Sequence, residues 1–220
     1  MPTNPTAELV QRLKNATKPE DFHSALTHAM SALSSLSEGV CEHFSITLAC
    51  KTRCFLCCYL RVLAQPPEVF LIAHHIQTRF TQPEVERVRQ RLATHCATVR
   101  PLTPAQHFRT NVVCPLLHEG QCRVYSVRPF GCRYHHSLDF QACQFSYNHP
   151  EDVDYSGARH PTLLEQLDDA RSSLCGAYKD LGFDMAPYEL GSALADALDR
   201  QVAWRRWRDH KKPFVNVAGA

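Results

Sequence analysis

Seven of the eleven cysteines lie in two short stretches of the sequence. The first stretch contains Cys50, Cys54, Cys57 and Cys58, and the second contains Cys114, Cys122 and Cys132. Residues 59–113 separate the two stretches and contain one further cysteine, Cys96. A soft metal ion needs several sulfur ligands from different parts of a chain, and short spacings fix those ligands in pairs. The cysteine pattern therefore predicts a fold that brings two distant stretches together around a metal.

The surrounding sequence predicts a reducing environment for these thiols. The N-terminus has neither a basic start nor an apolar signal core, and the uninterrupted apolar runs, such as residues 69–73, are too short to span a membrane. We therefore expect a cytoplasmic protein without a membrane partner. Cytosolic thiols are kept reduced, and an odd number of cysteines cannot all pair within one chain. Metal ligation is expected rather than disulfide formation.

Chain length and net charge limit the classes of partner that we expect. A chain of 220 residues, 44% of them hydrophobic, can bury a core without help from a metal. The net charge of +2 creates no strong field that would favour nucleic acid. The basic and aromatic run at residues 204–208 is short, so we expect its tryptophans to fold back on the core. A metal ion is the expected partner, a protein partner stays open, and nucleic acid is not expected.

Several signals predict where helices begin. Apolar residues recur at three- or four-residue steps over most of the chain, which is typical of helices with one buried face. Capping boxes predict helix starts at Thr81 and Thr103, and a further helix is predicted from Pro161 onward with a capping box at Thr162. Prolines, which are tolerated in the first helical turn, predict starts at Pro66 and Pro187.

These patterns predict a mainly α fold, with one domain over residues 1–220 and a cysteine-rich insert that forms a metal site. The helical scaffold is predicted at 6–49 and 161–212, around a cysteine-cluster core at 50–143. Within the insert, residues 112–125 have the pattern of a short β-hairpin around a glycine turn. Such a hairpin would bring Cys114 close to Cys122.

The thiols themselves predict a ligand set. Spacing of the type Cys54-x2-Cys57 lets two sulfurs reach one ion, whereas the side chains of the adjacent Cys57 and Cys58 diverge. The predicted ligands are Cys54, Cys57, Cys58, Cys114, Cys122 and Cys132, with Cys50, Cys143 and His135 as further candidates. Six or seven thiols exceed the four of one tetrahedral site, so two ions, a multinuclear cluster, or one site plus structural cysteines all remain open.

Ligand type does not separate zinc from an iron–sulfur centre, because both accept four thiolates. His135 lies three residues after Cys132, which is a zinc-ligand spacing, but sulfur ligands are expected first. No serine–histidine–acid order, carboxylate pair or phosphate loop indicates a reaction. The sequence therefore predicts zinc or iron as the cofactor and no catalytic residue.

Four short segments between residues 50 and 136 carry a resemblance to a known family. They are Cys54-x2-Cys57-Cys58, Cys114-Pro-Leu-Leu, Gly120-x-Cys122-Arg-Val-Tyr125 and Arg128-Pro129-x2-Cys132-Arg133. Together they resemble the YkgJ-type cysteine-cluster family of zinc- or iron-chelating proteins. The pattern that names this family is Cys-x2-Cys-x2-Cys-Cys, and its first cysteine falls on Lys51 here. The resemblance implies a metal-binding domain, and a similar module in flagellin lysine methylases implies S-adenosylmethionine-dependent methylation as an alternative.

Two further classes of protein compete with a chelating protein. Cys50-x3-Cys54-x2-Cys57 is also the spacing of radical S-adenosylmethionine enzymes, which hold a 4Fe–4S cluster with three cysteines. Those enzymes resemble repeated strand–helix units, which the helical patterning does not favour. The other class is a zinc module that binds nucleic acid or protein, which the low net charge does not favour.

Overall fold

Helices dominate the structure, a computed structural model that describes residues 5–51, 53–152, 158–199, 201–215 and 217. The α-helices are α1 (Pro5–Asn15), α2 (Pro19–His43), α3 (Pro66–Arg79), α4 (Gln82–Val99), α5 (Pro104–Phe108), α6 (Phe130–Tyr134), α7 (Phe140–Asn148), α8 (Pro161–Asp180), α9 (Leu190–Asp199) and α10 (Gln201–Arg208). Single-turn 3-10 helices lie at Leu56–Tyr59 and Tyr125–Val127. The prediction of a mainly α fold is confirmed. In the described part of the chain, no helix is both long and apolar enough to cross a membrane.

Helix α3 lies at the centre of the hydrophobic core. All eight residues of its first half, 66–73, are buried, as expected for a helix that has neighbours on all sides. It packs against α2 and α9, while α4 packs against α9, and α1 and α8 both pack against α2. Helices α3 and α4 lie within the predicted cysteine-cluster core at 50–143, so that segment also contributes scaffold.

Two small antiparallel sheets connect distant parts of the chain. Strand β1 (Leu63–Ala64) pairs with β4 (Tyr188–Glu189), and β2 (Leu117–His118) pairs with β3 (Gln121–Cys122). The second pair confirms the predicted hairpin. Its turn residues, Glu119 and Gly120, have φ values of 49° and 70°, as a two-residue turn of type I′ requires. Cys122 is paired with Leu117 rather than with Cys114.

Three predicted helix starts are confirmed, at Pro66, Thr81 and Thr103. The backbone N–H of Thr81 donates to Oε2 of Glu84 at 2.9 Å. At Thr103 the bonds are reciprocal: its N–H donates to Oε1 of Gln106 at 2.8 Å, and its Oγ1 accepts from the N–H of Gln106 at 3.2 Å. These side chains satisfy backbone N–H groups that have no partner inside a helix.

One predicted helix start and one predicted cap are wrong. Helix α8 begins at Pro161, as predicted, but its N-cap is His160 rather than Thr162, because proline is pre-organised for the first helical position. Helix α9 begins at Leu190 rather than at Pro187, because β4 pairs with β1 before the helix starts. The carboxylate of Glu189 then accepts hydrogen bonds from the N–H groups of the first turn.

The tryptophans near the C-terminus pack inward, as predicted. Trp207 is fully buried, and its Nε1 donates to the backbone oxygen of Asp184 at 2.8 Å. Its ring stacks on Phe183 with the centroids 4.5 Å apart. Trp204 is partly buried and packs edge-on against Phe22 at 5.7 Å. These aromatic contacts hold α10 against the helical scaffold.

Candidate metal centre

The first cysteine stretch folds into a tight turn followed by a 3-10 helix. The N–H of Cys54 donates to the oxygen of Lys51 at 3.0 Å, and the N–H of Cys58 donates to the oxygen of Phe55 at 2.8 Å. Arg53, which lies within the turn that the first of these bonds closes, has a φ of 69°. The local bonds therefore fix the backbone that carries the first cysteines, and α7 packs against the 3-10 helix.

A direct backbone bond joins the two cysteine stretches. The N–H of Cys114 donates to the oxygen of Cys58 at 2.8 Å, and the N–H of Val112 donates to the oxygen of Tyr59 at 3.3 Å. The N–H of Leu117 then donates to the oxygen of Cys114 at 3.0 Å, which leads the chain into the hairpin. Residues that are far apart in sequence are therefore adjacent at this point.

Glu68 anchors the segment that carries Cys132. Its side chain is buried at the start of α3, where Oε2 accepts from the N–H of Gln65 at 2.8 Å. Its other oxygen, Oε1, accepts from the N–H of Phe130, the first residue of α6, at 2.5 Å. Burial raises the pKa of Glu68 despite these bonds. One carboxyl group thus connects the central helix to the short helix that contains Cys132.

The thiol of Cys132 lies among thiols from both stretches. Burial raises its pKa well above the usual value, and interaction with other sulfur groups raises it further. Those neighbours are Cys114, Cys57 and Cys122. The pKa of Cys114 is raised to about 11, again mainly by burial and also by Cys122. Each of these thiols opposes ionisation of the next, because negative charges at short range repel one another.

Cys57, Cys58 and Arg128 complete this group. The side chains of Cys57 and Cys58 do not diverge as predicted, because a hydrogen bond joins these adjacent thiols. This bond raises the pKa of Cys57, and burial adds to the effect. The guanidinium of Arg128 acts in the opposite direction on Cys57 and on Cys122. Arg128 lies 3.7 Å above the centroid of the Tyr125 ring. Its positive charge therefore acts on thiols that would be thiolate anions if a metal were bound.

A second group of thiols lies beside the first. The residue before Cys50 donates its N–H to the oxygen of Ser137 at 2.8 Å, close to the start of α7, which carries Cys143. Cys50 is exposed overall, but partial burial of its sulfur raises its pKa, and interactions with Cys57, Cys143 and Cys54 also raise it. Cys57 interacts with both groups, so it lies between them.

His135 follows α6 directly. Burial lowers the pKa of His135 to about 4, and the positive charge of Arg159 and the neighbouring His136 lower it further. The ring is therefore neutral at physiological pH, which is the form that binds metals. The role of His135 as a ligand stays a prediction.

The chemistry of this cluster suits a soft metal ion. Within the ranges that the structure describes, no three Cys, His, Asp or Glu side chains are arranged to hold a metal ion. The sulfurs would therefore have to close in on the ion by side-chain rotation. The raised pKa values keep these thiols neutral without a metal, whereas a bound cation stabilises thiolates.

A buried ion pair that the sequence analysis did not predict supports the Cys114 segment. Nε2 of His95 lies 3.0 Å from Oε1 of Glu189, and its Nδ1 lies 3.2 Å from the backbone oxygen of Val113. Both ring nitrogens face acceptors, so only the imidazolium form satisfies both. Both residues are buried. The pair links α4 and β4 to the residue that precedes Cys114.

Residues at the start of α9 pack closely against His95 and Glu189. Burial alone would raise the pKa of Glu189, but hydrogen bonds from His95 and Ser192 outweigh it and hold the pKa at about 2. Oε2 of Glu189 accepts from the N–H of Ser192 at 2.7 Å and from its hydroxyl at 2.6 Å. A β-carbon at Gly191 would overlap the ring of His95. Glycine at this position therefore allows the close approach of α9 to His95.

Comparisons of this chain with protein-family models, curated proteins and solved structures found no match. The resemblance to the YkgJ-type family therefore stays a hypothesis based on the cysteine motifs.

Proposed function

We propose that this protein binds zinc, or iron in an iron–sulfur centre, through a polycysteine site. The observation that carries the proposal is the hydrogen bond from the N–H of Cys114 to the oxygen of Cys58, which joins the two cysteine stretches. Electrostatic interactions of Cys132 with thiols from both stretches support it. Thiols at such separations in sequence do not become neighbours through local structure. Their grouping beside Arg128 fits a site whose ligands are anions when the metal is bound.

The proposed ligands fall into two overlapping groups. The first group is Cys57, Cys58, Cys114, Cys122 and Cys132, and the second is Cys50, Cys54 and Cys143, with Cys57 shared. Two groups are consistent with two ions or with one multinuclear centre, because one tetrahedral ion takes four ligands. The proposed role is metal chelation or handling, in the cytoplasm, where thiols remain reduced.

The alternatives have less support from the fold. Radical S-adenosylmethionine enzymes resemble repeated strand–helix units, whereas both sheets described here are antiparallel pairs of two-residue strands. The backbone hydrogen bond between Cys114 and Cys58 also places the second cysteine stretch beside the first. A radical centre that uses three cysteines of the first stretch would not require this second stretch. Methylation and binding to nucleic acid or protein remain alternatives that need their own evidence.

The direct test is to determine which metal the protein contains. Protein purified without oxygen should contain zinc or iron in stoichiometric amounts by elemental analysis. An absorption band in the visible region would identify an iron–sulfur centre, whereas a colourless protein would identify zinc. Protein that contains neither metal, and that takes up neither during reconstitution under reducing conditions, would contradict the proposal.

A further inference from the structure

A cluster of basic side chains lies between α4 and the hairpin, in a small pocket that no described thiol lines. The residues that line this pocket are Phe80, Glu84, Arg87, Arg91, His118 and Arg123. Arg87 and Arg91 are one helical turn apart on α4, so their side chains lie on the same face. His118 and Arg123 come from the hairpin and the residue after it. Two separate elements therefore supply the positive charges.

The charges in this pocket are not balanced by the protein. Nη2 of Arg123 lies 2.5 Å from Oε1 of Glu84, the single acid among the described residues that line the pocket. That pair leaves the charges of Arg87 and Arg91 without an acid in the pocket. Like charges one turn apart on a helix destabilise it. The side chains that line the pocket therefore have a net charge of about +2 when His118 is neutral.

One hydrogen-bond donor of Arg91 has no partner. Its Nε is buried and has no hydrogen-bond partner among the described residues. A buried donor without an acceptor carries a cost in free energy. Burial lowers the pKa of Arg91, and the neighbouring charges of Arg123 and Arg87 lower it further. An anion placed against the guanidinium groups of Arg87 and Arg91 would offset the repulsion between them.

We propose that this pocket binds a phosphate group. Two unbalanced guanidinium groups match the charge of a phosphate dianion better than that of a single carboxylate. The planar fork of arginine donates pairs of hydrogen bonds to phosphate oxygens. Because the pocket is small, a single phosphate group fits it better than a larger molecule does. The described residues that line it include none of the proposed metal ligands.

Titration calorimetry with inorganic phosphate tests the proposal, with chloride used to keep the ionic strength constant. Unaltered protein should bind phosphate, and Arg91→Gln should weaken binding at least tenfold. Arg87 is exposed, so Arg87→Gln should also weaken binding while leaving the fold intact. Arg100→Gln is the matched control, because it removes one positive charge at the exposed end of the same helix, away from the pocket.

Further arms of the same experiment identify the chemistry of the ligand. Acetate should bind at least tenfold more weakly than phosphate, and a simple phosphomonoester should bind about as well or better. Comparison of the ester with inorganic phosphate distinguishes a phosphorylated molecule from the free ion. Absence of phosphate binding, equal binding of acetate, or equal weakening by Arg100→Gln and Arg87→Gln would overturn the proposal.

Discussion

Replacement of His95 by alanine is expected to lower the free energy of unfolding by about 3–5 kcal/mol. The substitution leaves the buried carboxylate of Glu189 without its charged partner, and it frees the backbone oxygen of Val113. Removal of one member of a buried ion pair is costly because an uncompensated charge stays in a region of low dielectric constant. Urea unfolding, followed by circular dichroism, measures this loss.

His28→Ala provides a matched control for that measurement. Nε2 of His28 lies 3.1 Å from Oε2 of Glu8, but both side chains are substantially exposed. Surface ion pairs contribute little because water already solvates both charges. A loss for His95→Ala no larger than that for His28→Ala would show that the buried pair does not support the fold.

Replacement of Glu68 by alanine should lower the free energy of unfolding by about 3 kcal/mol, because two buried N–H groups lose their acceptor. These groups belong to Gln65 and Phe130. Glu68→Gln keeps an oxygen in a side chain of similar size, and it should therefore recover part of the loss. Thermal unfolding of both variants is the measurement.

The control for Glu68 is Gln106, which has an equivalent position in the capping box of α5. Oε1 of Gln106 accepts from the N–H of Thr103, but that bond is exposed to solvent and connects to no other element. Gln106→Ala should therefore destabilise the protein much less than Glu68→Ala. Similar losses in the two variants would mean that Glu68 acts only as a local cap.

Local signals in the sequence predicted the helices well. Pro66 and Thr81 start α3 and α4 because proline geometry and capping bonds act within four residues. The predicted start of α9 at Pro187 is wrong because proline suits both the first turn of a helix and an extended segment that precedes one. The choice between them depended on pairing of β4 with β1, which is more than one hundred residues away. Local sequence patterns do not show which distant segments pair as strands.

The candidate site was predictable in part for the same reason. The grouping of cysteines indicated which stretches would meet, and the glycine turn at residue 120 indicated the hairpin. The supporting bonds of Glu68 to Phe130 and of His95 to Val113 were not predictable, because each joins a helix to a backbone atom outside that helix. A buried glutamate or histidine within an apolar helix is the signal that such a bond exists.

The central claim is that thiols from both cysteine stretches bind the same metal centre. Its most direct test is the metal content of Cys57→Ser, Cys114→Ser and Cys132→Ser, purified without oxygen, beside Cys175→Ser, which alters a partly buried cysteine in α8. The first three variants should lose most of their bound metal, and Cys175→Ser should retain it. Full metal content in variants from either stretch would contradict a shared centre.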